Sequence, residues 1–308
     1  MLEVLGRLDF AGGLAAPDDL SGVALAGDFL LLGSDEGHRL QILKRLGPDG
    51  YRVTGRTVTL ARKGREVDIE AICFAGGMAY ATGSHARRRR SIDPVHRSVA
   101  QNRKRYLRID RQKARGRLVR FPFDPVTGTP GKVERIGLTG LLRKDPLLGP
   151  FTRLPSKENG VDIEALACCD GRLYLGLRGP VLRHNLVPVL VLTFDRPKDY
   201  ELRLVQLDGA GIRDLTAVAG GFLILSGPVN DAAAPYALWF WDGSDQLPGR
   251  DRVGRPAHCL GEVPAGPGCK AEGLALVAES DDAWEVLIVY DAVRAGSPTR
   301  FRVSKPRQ

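Results

Sequence analysis

Short apolar runs recur along this chain, each followed by turn-forming Gly, Pro, Asp or Ser. One set is Phe29–Ser34 (FLLLGS), Met78–Ser84 (MAYATGS), Leu173–Gly179 (LYLGLRG), Phe222–Pro228 (FLILSGP) and Trp284–Asp291 (WEVLIVYD). A second is Arg39–Leu43, Arg117–Asp124, Val187–Asp195, Ala237–Asp242 and Thr299–Val303. A third is Tyr51–Leu60, Lys132–Leu138, Tyr200–Leu207 and Ala257–Val263. Runs this short, rich in β-branched and aromatic residues and bounded by turn formers, read as strands. Helical spacing is nearly absent outside one segment.

A repeat marks the first strand of each series. The stretch VDIEA occurs at Val67–Ala71 and again at Val161–Ala165, each with a lysine four residues upstream of its valine, Lys63 and Lys157. Weaker relatives align with it. The five openings are Asp19-Leu-Ser-Gly-Val-Ala24, Asp68-Ile-Glu-Ala-Ile-Cys73, Asp162-Ile-Glu-Ala-Leu-Ala167, Asp214-Leu-Thr-Ala-Val-Ala219 and Lys270-Ala-Glu-Gly-Leu-Ala275. Four strands repeated about every 50 residues predict a β-propeller. The intervals between openings are 49, 94, 52 and 56 residues, and the long one contains a basic segment, residues 84–115. The expectation is therefore an all-β, five-bladed β-propeller, a single domain over residues 1–308 with an insertion at 84–115 in its second blade. Leu2–Phe10 supplies the fourth strand that the last unit lacks, which closes the ring without a free edge. A six-bladed ring, splitting the long interval into two units, is the alternative. It needs an opening near residue 115, and none is visible there.

The hydrophobic fraction of 43% in 308 residues suits a large packed core. The start, MLEVLGRLDF, carries an early Glu3 and no continuous apolar core, so no secretory leader is expected. The longest apolar run, Leu186–Phe194, falls far short of the roughly 20 residues of a membrane span. Five cysteines (73, 168, 169, 259 and 269), with no CxxC pair, predict buried reduced thiols and a cytoplasmic protein. The net charge of +9 is local. Residues 84–115 hold twelve Arg or Lys against Asp93 and Asp110, which leaves the rest of the chain near neutral.

Three blocks are distinctive: GSHARRRR (83–90), SKENGVDIEALA (156–167) and LGLRGPVL (175–182). Together they resemble a bacterial family known as domain of unknown function 3616. The resemblance covers most of the chain and implies a propeller-like fold with no established activity. The Asp-x-Glu-Gly/Ala openings are similar, less specifically, to those of phytase-like and SdiA-regulated propellers.

In a propeller the first strand of each blade lines the central channel. By this alignment Asp19, Asp68, Asp162 and Asp214 gather at one end, and Glu70, Glu164 and Glu272 project two residues further in. The second strands end at the same mouth. They bring Ser34 with Asp35, Ser84 with His85, Arg178, Asn230 and Asp291, and the loop Ser156–Gly160 enters beside them. Two readings of the acids stay open. Each can lock the ring by accepting backbone N–H groups of a neighbouring blade, which repetition in every blade favours. Alternatively Glu70, Glu164, Glu272, Asp68 and Asp162 ligate a hard cation such as Ca²⁺. His85, Glu70 and Glu164 are the candidate catalytic groups, His85 being placed as a general base or else simply solvated. Arg178 can fork onto a phosphate or pair with the mouth acids. Lys157, Glu158, Asn159, Ser84 and Asn230 are the further ligand-binding candidates. GxSxG, P-loop and HExxH signatures are absent.

In the basic insertion, Asp93-Pro94 predicts a helix start. Val95, Val99, Asn102, Tyr106 and Ile109 fall on one stripe, so a basic helix packed by a thin apolar stripe is expected, leaving the mouth as a lid. Two functions follow. The first is binding, extending to phosphoesterase- or esterase-type hydrolysis, of a small anionic, phosphorylated ligand at the mouth of a monomer. The alternative is a non-enzymatic platform whose residues 86–115 bind nucleic acid or an acidic partner through phosphate-type contacts. Tyr106 is the insertion's one aromatic, which argues against a base-stacking platform.

Overall fold

A computed structural model describes residues 2–61, 67–266 and 268–306. The strand runs fold into five antiparallel sheets. Blade one is Leu20–Ala26, Phe29–Ser34, Arg39–Gly47 and Gly50–Thr59. Blade two is Ile69–Ala75, Met78–Gly83, Arg117–Asp124 and Glu134–Gly137. Blade three is Asp162–Cys169, Arg172–Gly179, Leu186–Leu192 and Glu201–Gln206. Blade four is Gly211–Val218, Gly221–Gly227, Tyr236–Trp241 and His258–Val263. Blade five is Lys270–Glu279, Ala283–Asp291 and Thr299–Ser304, completed by Leu2–Arg7. The first strands pack on one another in the cyclic order one to five and back to one, so the ring is five-bladed and closed.

The N-terminal segment closes the ring twice. Leu2–Arg7 pairs antiparallel with Thr299–Val303 of blade five. Two residues later, Asp9–Ala11 adds in parallel to Gly50–Arg52 of blade one. Between them Leu8 is buried, and its N–H bonds Pro298 O at 2.8 Å. Both outer edges that the chain ends would leave open are thus paired.

The core lies between blades rather than within them. One cluster joins Leu31 and Ile42 of blade one to Ile69 and Phe121 of blade two. Others join Leu118 to Ile163, Val189 to Ile212, and Leu225 to Trp284. Leu20 and Val23 meet Leu287 and Val289 to close the circle. Strands alternate their side chains, and here both faces meet a neighbouring blade. That explains runs such as LVPVLVL, buried at every position. Full burial of each such side chain contributes roughly 1.5–3 kcal/mol.

The insertion departs from expectation in one respect. Arg88–Arg89 and Ile109–Asp110 pair as a short antiparallel ladder, and the loop between them carries a single helix, α1 (Val99–Tyr106). Ser98, not Asp93, caps it, in a reciprocal box with Gln101. Asp93 instead accepts the His96 N–H at 3.0 Å in a turn that precedes the helix. The stripe therefore never becomes continuous. Val95 is 80%, Val99 78% and Tyr106 53% exposed, and α1 has no buried residue. A second short helix, α2 (Thr139–Lys144), follows blade two and leads towards blade three. Among the described residues, no helix is long and apolar enough to cross a membrane.

Candidate functional site

All five inner strands carry a β-bulge at equivalent places. The pairing of inner with second strand skips one inner residue in each blade: Ser21, Glu70, Glu164, Arg213 and Glu272. A bulge bends a strand and re-aims the extra side chain. Glu70, Glu164 and Glu272 sit where the sequence placed them. Blade four does not match. Its register equates Ile212-Arg213-Asp214-Leu215 with Ile163-Glu164-Ala165-Leu166, three residues from the sequence alignment. Asp214 is therefore not in the aspartate column, where Gly211 stands, and Arg213 takes the glutamate place. Sequence reasoning missed Arg213 for that reason.

Asp214 is instead a staple between blades. Its Oδ2 accepts the Leu274 N–H of blade five at 2.6 Å, and its Oδ1 accepts the Leu215 N–H at 2.8 Å. That is the locking role allowed for the aspartates, realised at a residue outside their column.

Arg213 is 3% exposed and bridges two glutamates. Nη1 lies 2.8 Å from Glu164 Oε2, and Nη2 pairs with Glu272 Oε1. Arg178, on the second strand of blade three, extends the chain of pairs. Its Nη1 is 2.8 Å from Glu164 Oε1 and its Nη2 is 2.6 Å from Asp162 Oδ2. Arg178 thus pairs with the mouth acids, the alternative to a ligand contact that the sequence left open. Burial would lower the Arg213 pKa, but Glu164 and Glu272 outweigh it and hold the guanidinium charged. Burial pushes the Glu164 carboxyl up to about 7 despite Arg178 and Arg213. It raises Asp162 and Glu272 as well, against the same guanidiniums.

Glu70 differs. Among the described residues no cation or hydrogen-bond donor pairs with it. Burial first, then Asp68, Glu164 and Asp162, lifts its pKa well above the carboxylate range. Glu70, Asp162 and Glu164 each bring a carboxylate oxygen within 4.8 Å of the others. Of the five residues considered for a metal, these three converge. Asp68 and Glu272 stand outside this cluster, paired with Arg115 and Arg213, while Asp162 and Glu164 join it although they also pair with Arg178 and Arg213. Glu70, Asp162, Glu164 and Glu272 with Arg178 and Arg213 leave an excess of two negative charges, which two protons or one divalent cation would balance. Three carboxylate oxygens suit a hard cation. Lys63, the lysine upstream of Val67, lies outside the described residues.

At the rim, Asp68 adopts a left-handed backbone, φ 58°. Its Oδ2 is 2.8 Å from Arg115 Nη1 and accepts the Ser84 hydroxyl. Asp35 faces Asp68, Asp291 and Asp19, and burial followed by these charges raises it to about 7. Lys270 pairs with Asp291. Arg115 connects this rim to a cavity of about 290 Å³ under the insertion, lined by Arg88, Arg90, Arg105, Ser91, Gln112 and Asp110 besides Arg115 itself. Arg90 is paired with Asp110 at 2.6 Å. Among the described residues Arg88 has no carboxylate partner.

The remaining candidates lie apart from the carboxylates. Glu158 binds Arg89 of the insertion, with Nη2–Oε2 at 2.9 Å, and Lys157 pairs with Asp231. Asn159 has φ 64° and clasps the backbone of Val181, accepting its N–H at 2.8 Å. Asn230 is exposed and accepts the Ala232 N–H at 2.9 Å in its own turn. His85 lines a second cavity with Arg87, Arg111, Arg143 and Arg153. Burial pushes its pKa down to about 4, against a backbone interaction at Arg117. The imidazole is therefore neutral at physiological pH.

Closed five-fold repetition, channel-lining first strands and a polar mouth define a five-bladed β-propeller. Within that class, the family model described as "Protein of unknown function (DUF3616)" matches residues 19–136 and 130–305. The chain belongs to this family. A search of curated proteins gave no significant match. Among solved structures, the chain is similar to Myxococcus xanthus glutaminyl cyclase, with TM-score 0.54, 11% identity and coverage of 99% of this chain and 97% of that one. It is also similar to an exo-β-1,3-galactanase of Phanerochaete chrysosporium solved with β-1,3-galactotriose. There the TM-score is 0.50 and the identity 8%, over 98% of this chain but 64% of the galactanase. At these identities the likeness is one of fold.

Proposed function

We propose that the protein binds a small phosphorylated ligand at the channel mouth, with a divalent cation between ligand and ring. The observation that carries this reading is the arginine-lined cavity set directly on the acidic rim through the Arg115–Asp68 pair. Arg88 and Arg105 supply charge to phosphate oxygens, and Ser91 adds a hydroxyl. Below them Glu70, Asp162 and Glu164 hold the cation, Ca²⁺ being the hard ion that best suits carboxylate oxygens. Guanidiniums above and a cation below clamp a phosphoryl group from two sides. Hydrolysis of such a ligand falls to Glu70, the carboxyl of the three that has no guanidinium partner among the described residues. His85 has no part in it, because it lines a different cavity.

Calorimetric titration of inorganic pyrophosphate, with and without Ca²⁺, tests the reading. Saturable binding that weakens at least tenfold in Arg88→Ala/Arg105→Ala supports it. A wild-type protein that takes up no pyrophosphate under either condition overturns it. A second reading rests on the exposed aliphatic residues Ile92, Val95, Val99 and Leu107 beside unpaired basic residues. That mixture suits an acidic protein partner better than nucleic acid, which wants aromatic stacking.

A further inference from the structure

His85, Arg87, Arg111, Arg143, Arg153 and Thr139 meet on a cavity of about 240 Å³ between the insertion, α2 and the turn Gly149–Arg153. No aspartate or glutamate lines it. Among the described residues Arg88 and Arg105 of the mouth cavity have no carboxylate partner, but the other arginines near the mouth are paired. Arg89 pairs with Glu158, Arg90 with Asp110, Arg115 with Asp68, Arg178 with Asp162 and Arg213 with Glu164. Among the described residues Arg111, Arg143 and Arg153 have no carboxylate partner, and Arg87 spends only Nε on the Thr152 carbonyl, at 2.9 Å. Guanidiniums gathered on one small cavity without a counter-charge repel one another unless an anion joins them.

His85 adds an independent sign. Both of its ring nitrogens are buried and neither has a hydrogen-bond partner of good geometry, the Arg117 backbone being the one group that approaches the ring. Buried polar atoms in native proteins are nearly always satisfied, and the Arg117 backbone can serve one nitrogen at most, so the other calls for a partner. The ring is held firmly all the same. The His85 backbone is left-handed, φ 58°, a conformation in which His is tolerated better than most residues, and its N–H bonds Arg115 O at 3.1 Å. On either side, Ser84 O accepts the Ile163 N–H at 2.8 Å and Arg87 O accepts the Ser156 N–H at 2.9 Å.

We infer that this cavity is a second oxyanion site, built for a phosphate group, in which His85 donates one ring N–H and the arginines supply the charge. It is distinct from the mouth cavity, from which Arg143, Arg153 and His85 are absent, and it does not depend on any ligand being bound there. An anion here would tie the insertion to the connection between blades two and three, because its ligands come from both.

The test titrates inorganic phosphate into ¹⁵N-labelled full-length protein and follows the His85 ring nitrogens, assigned with His85→Asn. Saturable movement of these resonances is expected. Its midpoint should rise at least tenfold in Arg143→Ala/Arg153→Ala, two exposed positions that put folding at little risk. It should stay unchanged in Arg88→Ala/Arg105→Ala, which addresses the mouth alone. Phenyl phosphate, titrated likewise, separates free phosphate from a phosphate ester, and saturable movement with either supports the site. Ring resonances that ignore both anions, or a midpoint equally affected by the two double variants, overturn it.

Discussion

The two sides of the channel treat the same bulge position in opposite ways. From blade three to blade five, Glu164, Arg213 and Glu272 form an alternating chain of buried charges, extended by Arg178 to Asp162. At blade two the equivalent Glu70 has no described cation, although the insertion beside it carries the chain's net positive charge. The insertion's Arg115 pairs with Asp68. One side is thus a closed network that fixes the packing of three blades. The other keeps an acid of high pKa under an arginine-lined cavity. Buried charge paired with opposite charge is an element of structure, and buried charge without such a partner is where binding and proton chemistry are found.

The largest effect should come from breaking the closed side. Arg213→Met strands Glu164 and Glu272 without their shared cation, and losing one partner of a buried pair costs about 3–5 kcal/mol. Denaturant unfolding should show that loss. Glu70→Gln, at the same bulge position, should leave stability unchanged or higher at pH 8 and abolish any rise in Tm caused by Ca²⁺. Equal destabilisation by the two variants would dissolve the distinction between the sides.

Next comes the link between them. A Cβ on Gly83 would lie 2.4 Å from Arg115 O and 2.6 Å from Val67 O. Gly83→Ala should therefore cost about 1–3 kcal/mol by overpacking and weaken pyrophosphate binding by displacing Arg115.

A smaller effect concerns pH. Asp35 and Glu164 both have native pKa values near 7, raised above their unfolded values, chiefly by burial. Raised carboxyls favour the folded state while protonated. Their contribution is complete below the unfolded values near 4 and is lost as pH climbs through 7. Stability should therefore fall between pH 5 and pH 8. Asp35→Asn should flatten that slope and raise Tm by a few degrees at pH 8 but not at pH 5. A slope unchanged in Asp35→Asn would remove Asp35 from the account. The smallest effect is expected at α1, where Val99→Ser should shift stability by less than about 0.5 kcal/mol, because the side chain is already in water.

Much of this fold was legible in the chain, and its limits have physical causes. Strand runs, five openings and closure by the N-terminal segment follow from short alternating apolar stretches and their spacing. The blade-four alignment failed because the bulge interrupts the two-residue alternation and leaves apolar residues three apart in each opening, so Ile212, Leu215 and Val218 permit a slip of three residues. Asp214-Leu-Thr-Ala-Val and Gly211-Ile-Arg-Asp-Leu fit the apolar pattern equally well, and only the bulge separates them. Arg213 could have been suspected as a lone cation beside that opening. The α1 stripe misled for a related reason. Spacing identifies a face but not whether anything packs on it, and the Ser98 cap cut the helix to Val99–Tyr106. For the site, the convergence of Glu70, Asp162 and Glu164 follows from the inner-strand alignment. The placement of His85 does not, since a left-handed residue at a strand end turns its ring away by an angle no sequence pattern encodes.

The central claim is that the mouth where blades two and three meet binds ligands, while the Arg213 link from Glu164 to Glu272 serves as structure. A crystal structure grown at neutral pH with Ca²⁺ and pyrophosphate tests it most directly. Calcium coordinated by Glu70, Asp162 and Glu164, with pyrophosphate against Arg88 and Arg105, is the predicted result. Density showing neither ion, with Glu70 contacting only water, would contradict it.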